Sequence, residues 1–256
     1  MVGLRNLLIL FFLILLGSCS LNDETRESIT KGLSPKSLFD EASNLSDQGS
    51  YDEAIKTFER LQAAYPASKY ALQSKLTIAF LLYKRDRYDE SIDKLNDFIK
   101  LYPTLDETPY AFYMRGVVAE SKSKSILDEY NVTDNAQRDV TSVIDAFNYF
   151  LKLIEKYPNS VYASEAKSKF VTLRNIIARH ELFIAIFYTK KNAHIAAINR
   201  TKNIIEKFPN TPSVPAALHL IAHNYDLIGA PKLAADARRI LEASYPKYIP
   251  HYNLDD

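Results

Sequence analysis

An aromatic residue followed directly by proline recurs along this chain, at Tyr65-Pro66, Tyr102-Pro103, Tyr157-Pro158, Phe208-Pro209 and Tyr245-Pro246. Proline removes a helix hydrogen bond and clashes with the turn before it, so each pair marks a place where a helix must stop. Twelve residues before each proline stands a small residue: Ala54, Ser91, Ala146, Ala197 and Ala234. Eight before stand Phe58, Leu95, Phe150, Thr201 and Arg238; five before stand Leu61, Phe98, Leu153, Ile204 and Leu241. Spacings of four and three set these positions on one stripe of a helix, which the proline ends.

A second helix precedes each of these. Twenty-four residues before the proline stand Ala42, Ala79, Ala185 and Ala222, and three later come Leu45, Leu82, Tyr188 and Tyr225. Small residues let two antiparallel helices approach closely while the large ones fill the gaps between pairs. Recurring in register, this pattern resembles the tetratricopeptide repeat. The proline-to-proline spacings are 37, 55, 51 and 37 residues, so the middle units carry insertions. One lies between a helix around Gly116 and another over Val143 to Tyr157, and its polar stretch Asn131 to Asp139 reads as a loop. The other is apolar-periodic, and the run from Ala163 to Thr189 lacks Pro and Gly, which predicts one long helix. The expected fold is all-α: about ten helices in five pairs from about Ser34 to Tyr248, a right-handed superhelical solenoid behaving as one array.

Little else in the sequence points to chemistry. The 32 basic and 31 acidic residues leave a net charge of +1, which argues against a general nucleic-acid binder. No nucleophile elbow, dinucleotide fingerprint or phosphate-binding loop is present. His219 and His223 stand four apart, at metal-ligand spacing, but no acid follows His219 and no obvious third ligand completes a site. The sequence therefore implies no catalysis, no metal and no cofactor.

The single cysteine carries its information in its position. Arg5 is followed by an apolar run from Leu7 to Leu16 and then by Gly17-Ser18-Cys19. Ten residues rise about 15 Å as a helix, half of the roughly 30 Å hydrocarbon core, which suits a secretory signal better than a span. Leu16-Gly17-Ser18-Cys19 resembles the bacterial lipobox. That resemblance implies a signal peptide over 1–18, cleavage before Cys19, diacylglycerol on its sulfur and an acyl group on the new amino terminus. Ser20, rather than Asp, favours the outer membrane. Residues 19–33 then read as a polar tether reaching at most about 45 Å.

Three segments narrow the field further: DRYDESIDKLNDFIKLYP (Asp86 to Pro103), PYAFYMRG (Pro109 to Gly116) and ARHELFIAIFYTKKNAHIAAINR (Ala178 to Arg200). Together they resemble the BamD family, lipoprotein components of the β-barrel assembly machine, over essentially the whole mature chain. The resemblance implies a lipid-anchored adaptor on the periplasmic face of the outer membrane. Within a repeat domain over 34–256, residues 34–158 would receive unfolded outer-membrane proteins. Residues 159–250 would dock on the periplasmic domain of BamA, with other lipoproteins of the machine as further partners. The alternative is a periplasmic repeat lipoprotein that scaffolds cell-envelope or cell-wall assembly.

Two sets of residues are candidates for binding. If the first helix of each pair lines the concave side, the positions flanking Ala42, Ala79 and Gly116 include Phe39, Phe80, Tyr83, Tyr110 and Tyr113. Five aromatics among twelve such positions suit an extended, aromatic-ending peptide; the competing reading is packing between repeats. Arg200 lies where the apolar stripe needs no charge. It is a contact to BamA, a strut that holds that dock, a solvated helix residue, or a local partner for an acid such as Glu181 or Glu206.

Overall fold

The computed structural model describes residues 34–123, 140–252 and 254. Cys19, the tether and the polar stretch Asn131 to Asp139 lie outside the described residues. Within them there are ten helices and no strand: α1 (Pro35–Asp47), α2 (Tyr51–Ala64), α3 (Lys69–Lys84), α4 (Tyr88–Leu101), α5 (Thr108–Lys122), α6 (Thr141–Lys156), α7 (Ala163–Lys190), α8 (His194–Lys207), α9 (Val214–Leu227) and α10 (Pro231–Ser244).

The helix ends follow from local chemistry. The Ser34 and Ser68 hydroxyls accept the backbone N–H of Ser37 and Ala71, which caps α1 and α3. Each aromatic residue before a proline closes an even-numbered helix. Tyr65, Tyr102, Tyr157, Phe208 and Tyr245 all take φ between −137° and −125° with ψ between 46° and 60°. The proline that follows excludes the helical region at these positions. Their N–H groups still reach back to the carbonyls of Leu61, Phe98, Leu153, Ile204 and Leu241 at 2.7–2.9 Å.

The turns between paired helices have their own signature. Gly49, Asp86, Asn192 and Gly229 each adopt φ of 57–79°, and each stands seventeen residues before its proline. The bonds Ser50 N–H to Leu45 O, Ala193 N–H to Tyr188 O and Ala230 N–H to Tyr225 O close the turn around this left-handed residue. A side chain there is strained, so glycine serves twice, and Asn and Asp tolerate the conformation. In the third pair α5 ends at Lys122 and α6 begins at Thr141.

The described chain divides into two compact units, one ending at Arg85 and the other beginning at Asp86. In the first, α2 packs between α1 and α3, and α1 also touches α3. Its core is Leu38, Ala42, Ala54, Phe58, Leu61, Ile78 and Leu82. In the second, each helix from α4 to α10 packs on its chain neighbours, and α7 also reaches α9. Contact with the next helix and the next but one is the pattern of a helical-repeat stack. The stripe residues Leu95, Phe98, Phe150, Leu153 and Ile204 are buried. Thr201, also buried, returns its hydroxyl to the Ala197 and Ile198 carbonyls. Arg238 departs from the stripe: it is exposed and holds Asp226 of α9 through two bonds of 2.7 and 3.1 Å.

Gly116 occupies the place that Ala holds in the other pairs, for a local reason. A Cβ there would lie 2.6–2.8 Å from three carbons of the Phe150 ring. The Pro- and Gly-free run does form one helix, α7, of 28 residues, about 42 Å long.

Candidate functional site

The five aromatic candidates fall into three settings. Phe39 is half-buried, its ring 5.4 Å from both Phe58 and Tyr70, so it contributes to the core of the first unit. Phe80 and Tyr83 are neighbours on α3, with centroids 6.2 Å apart. Phe80 is 36% exposed and the Lys84 ammonium stands 5.7 Å from its ring. They form an apolar, partly wet patch with a cation beside it.

Tyr110 and Tyr113 belong to the second unit and meet on a third tyrosine. Tyr162, at the entry to α7, stacks on Tyr113 with centroids 5.3 Å apart and planes 22° from parallel, and it lies 5.6 Å from Tyr110. Tyr113 also reaches the buried Phe150 at 6.1 Å. Burial, and then the hydrogen bond to Glu165, push the Tyr113 phenol well above its ordinary range. Burial raises Tyr110 as well. Both therefore stay neutral and offer flat faces with polar tips. At the other end of α5, Lys169 donates to Glu120 at 2.7 Å in a partly buried pair. This cluster is a half-buried aromatic shelf bordered by charge, a surface that can stack on a planar or aromatic group. Sequence periodicity did not single out Tyr162, because it enters from the loop before α7 rather than from a helix stripe.

Arg200 of α8 reaches across its hairpin to α7. Nη1 lies 3.1 Å from both carboxylate oxygens of Glu181, whose side chain is only 13% exposed. Of the two acids the sequence offered, Glu181 is the partner. The pair lines an open concavity of about 480 Å³ with Tyr188, Ala196, Asn199 and Asn203. Nearby, Asn224 is fully buried and ties three elements together. Its amide donates to Thr189 Oγ1 and the Leu220 carbonyl, both at 2.8 Å, and its Oδ1 lies 3.0 Å from His194 Nδ1. No spacing along the chain signals this network, since an Asn on an apolar helix face looks like any other.

Of the two histidines at ligand spacing, His219 is engaged elsewhere. Its Nδ1 lies 2.8 Å from the Tyr252 hydroxyl, which donates to the Ala216 carbonyl at 3.1 Å. Among the described residues no three His, Cys, Asp or Glu side chains are grouped to hold a metal, and no helix is long and apolar enough to cross a membrane.

This helical array has clear relatives. The outer membrane protein assembly factor BamD of Neisseria meningitidis is 35% identical over 219 residues, covering 86% of this chain and 82% of its own. BamD of Xylella fastidiosa is 30% identical over 92% of this chain and 80% of its own. BamD of Vibrio cholerae is 30% identical over 86% and 90%. A tetratricopeptide repeat protein of Parabacteroides merdae, 14% identical, aligns over 90% of this chain and 74% of its own with a TM-score of 0.40, too loose a likeness to say more. The family model described as YfiO, outer membrane lipoprotein, matches residues 31–240. With these relatives and that match, the chain belongs to the YfiO family of outer membrane lipoproteins, the family of the BamD assembly factors.

Proposed function

We propose that the chain is a non-catalytic adaptor of outer-membrane β-barrel assembly, held at the periplasmic face of the outer membrane by lipid on Cys19. The observation that carries this reading is its 35% identity to a BamD assembly factor over 86% of its length. In this reading residues 159–250 dock on a periplasmic domain of BamA, and residues 34–158 receive unfolded outer-membrane proteins. The aromatic shelf of Tyr110, Tyr113 and Tyr162 and the Phe80–Tyr83 patch suit segments rich in aromatic and aliphatic side chains. The concavity at Glu181 and Arg200 suits a polar contact to BamA, because a half-buried carboxylate fixes the guanidinium before any partner arrives.

The test is capture of partners from detergent-solubilised membranes. BamA as the main partner supports the reading; cell-wall synthesis proteins in its place would favour the envelope-scaffold alternative. Arg200→Leu is expected to weaken BamA capture while the helical circular dichroism persists. Glu181→Gln separates two roles for Arg200: if it weakens capture equally, the pair acts as a strut, and if it leaves capture intact, Arg200 is itself the contact. Unchanged capture in both variants places the pair outside the interface.

A further inference from the structure

Asn224 holds the ends of two hairpins together. It lies in the last turn of α9, donates to Thr189 near the end of α7, and meets His194 at the start of α8. The turn from α7 to α8 and the turn from α9 to α10 therefore share one edge of the second unit. Both are built alike, with a left-handed Asn192 or Gly229 and a return bond to the Tyr188 or Tyr225 carbonyl. This edge keeps apolar side chains in water. Phe187, Ile195, Leu227, Ile228 and Leu233 are 40–60% exposed, five of the twelve large apolar side chains exposed among the described residues. Scattered singly they would need no explanation, but five at two adjoining turns do.

Cations stand among them. Lys190, Lys191 and Lys232 are exposed at the same two turns, and the Lys191 ammonium lies 5.9 Å from the Phe187 ring. No acid occurs in 182–205 or 227–235, and Asp226, just outside, is held by Arg238. The C-terminal end of α7 favours a cation at Lys190, but Lys232 is the second residue of α10, where the helix dipole opposes one. Helix chemistry thus does not account for all three. The mixture selects the occupant. Protein interfaces deplete lysine and favour arginine. A bilayer surface takes apolar tips into the acyl boundary, while lysine stems lie along it and the ammonium groups stay at anionic headgroups.

We infer that the turns over 187–195 and 227–233 form an edge that rests on the surface of an anionic bilayer. The five apolar side chains enter the boundary between headgroups and acyl chains, and the three lysines meet lipid phosphates. This contact is distinct from lipid on Cys19 and from the Glu181–Arg200 concavity, and its test is independent of BamA capture.

The chain contains no tryptophan, so one introduced indole reports alone. Phe187→Trp and, separately, Leu227→Trp place it on the edge. Val161→Trp, at an exposed site before α7, places it near the other end of that 28-residue helix, about 42 Å long. Each full-length protein, purified from membranes, is mixed with vesicles of brominated phosphatidylcholine with or without phosphatidylglycerol. With phosphatidylglycerol, both edge reporters are expected to shift to the blue and lose about half of their emission or more, as an indole at the acyl boundary would. Val161→Trp is expected to keep its intensity. Lys190→Ser, Lys191→Ser and Lys232→Ser together, in the Phe187→Trp chain, should remove the part of the quenching that depends on phosphatidylglycerol. Should one reporter variant fail to fold, the other decides. Equal quenching at Val161 and at the edge would show only that the chain lies near the bilayer, and overturns the inference. So does unquenched emission at the edge, or quenching that is the same without phosphatidylglycerol. A blue shift with BamA in detergent but not with vesicles would assign the edge to a protein and overturn it as well.

Discussion

Gly116→Ala is an exchange that helix propensity favours and packing opposes, so its sign tests the account of the third helix pair. In a helix interior, Ala is about 1 kcal/mol better than Gly. Against that gain, the new methyl would lie 2.6, 2.7 and 2.8 Å from three ring carbons of Phe150. Ordinary contact begins near 3.4 Å, so the ring or the backbone must move by about 0.8 Å. Phe150 has no solvent to move into: it is 0% exposed, with Val143, Ala146 and Leu153 in the same cluster. Overpacking of a filled core costs about 1–3 kcal/mol, and three simultaneous overlaps belong in the upper half of that range. The net expectation is a loss of about 1–2 kcal/mol, read as an earlier urea midpoint at unchanged slope by far-ultraviolet circular dichroism. The first pair accommodates Ala42 with Phe58 in its core, so the clash is a property of how close α5 and α6 approach, not of Ala facing Phe as such. Phe150→Leu provides the cross-check. Combined with Gly116→Ala it should destabilise less than the two single exchanges added together, by roughly 1 kcal/mol or more, because the shorter side chain vacates the overlap. Stability equal to or above that of the unaltered chain in Gly116→Ala, or strict additivity in the pair, would refute the reasoning.

Loss of His219 should flatten the pH dependence of thermal unfolding. Burial first, and the charges of His223 and Arg238 after it, hold the imidazole below its ordinary 6.5. The neutral form is thus favoured by folding, and its contribution is complete above about pH 6.5 and is lost as pH falls towards the lowered folded value. The chain should melt earlier on acidification through that window, and His219→Gln should show a shallower fall; parallel curves for the two would remove His219 from the account. For the aromatic shelf, Tyr110→Ala with Tyr113→Ala should weaken a peptide copied from an outer-membrane protein's carboxy terminus at least tenfold, about 1.4 kcal/mol for two lost aromatic contacts. Undiminished affinity in a folded double variant makes these tyrosines structural. Cys19→Ala should leave the protein unprocessed or free in the periplasm, and the intact mass of the native form should exceed the peptide from Cys19 onward by three acyl chains. A mass equal to the bare peptide would exclude the anchor.

What the sequence made legible was whatever a few neighbouring residues decide. The helix stops were readable because proline dictates the backbone of the residue before it, and Tyr65, Tyr102, Tyr157, Phe208 and Tyr245 obey with nearly one conformation. The left-handed turn residues, Gly49, Asp86, Asn192 and Gly229, are equally local; their constant offset from the proline is hidden in the sequence because three residue types share the role. The stripe failed at Arg238, where periodicity supplied a buried-looking position and the fold supplied a partner, Asp226, at the surface instead. Arg200 could be assigned a nearby acid, but choosing Glu181 required knowing the rotation of α8 against α7. The same holds for Tyr162 on Tyr113, Asn224 on Thr189 and Arg115 on Asn96. These contacts join residues 19 to 49 positions apart, and no periodicity within one helix encodes them.

The unbroken length of α7 has a mechanical consequence. Its first half packs on α6 and carries Lys169 and the approach of Tyr162; its second half carries Glu181, Thr189 and the partnership with α8. A helix without Pro or Gly bends only gently over about 42 Å. The Glu181–Arg200 concavity and the tyrosine shelf therefore stand on one continuous helix, about 27 Å apart along its axis, with no turn between them.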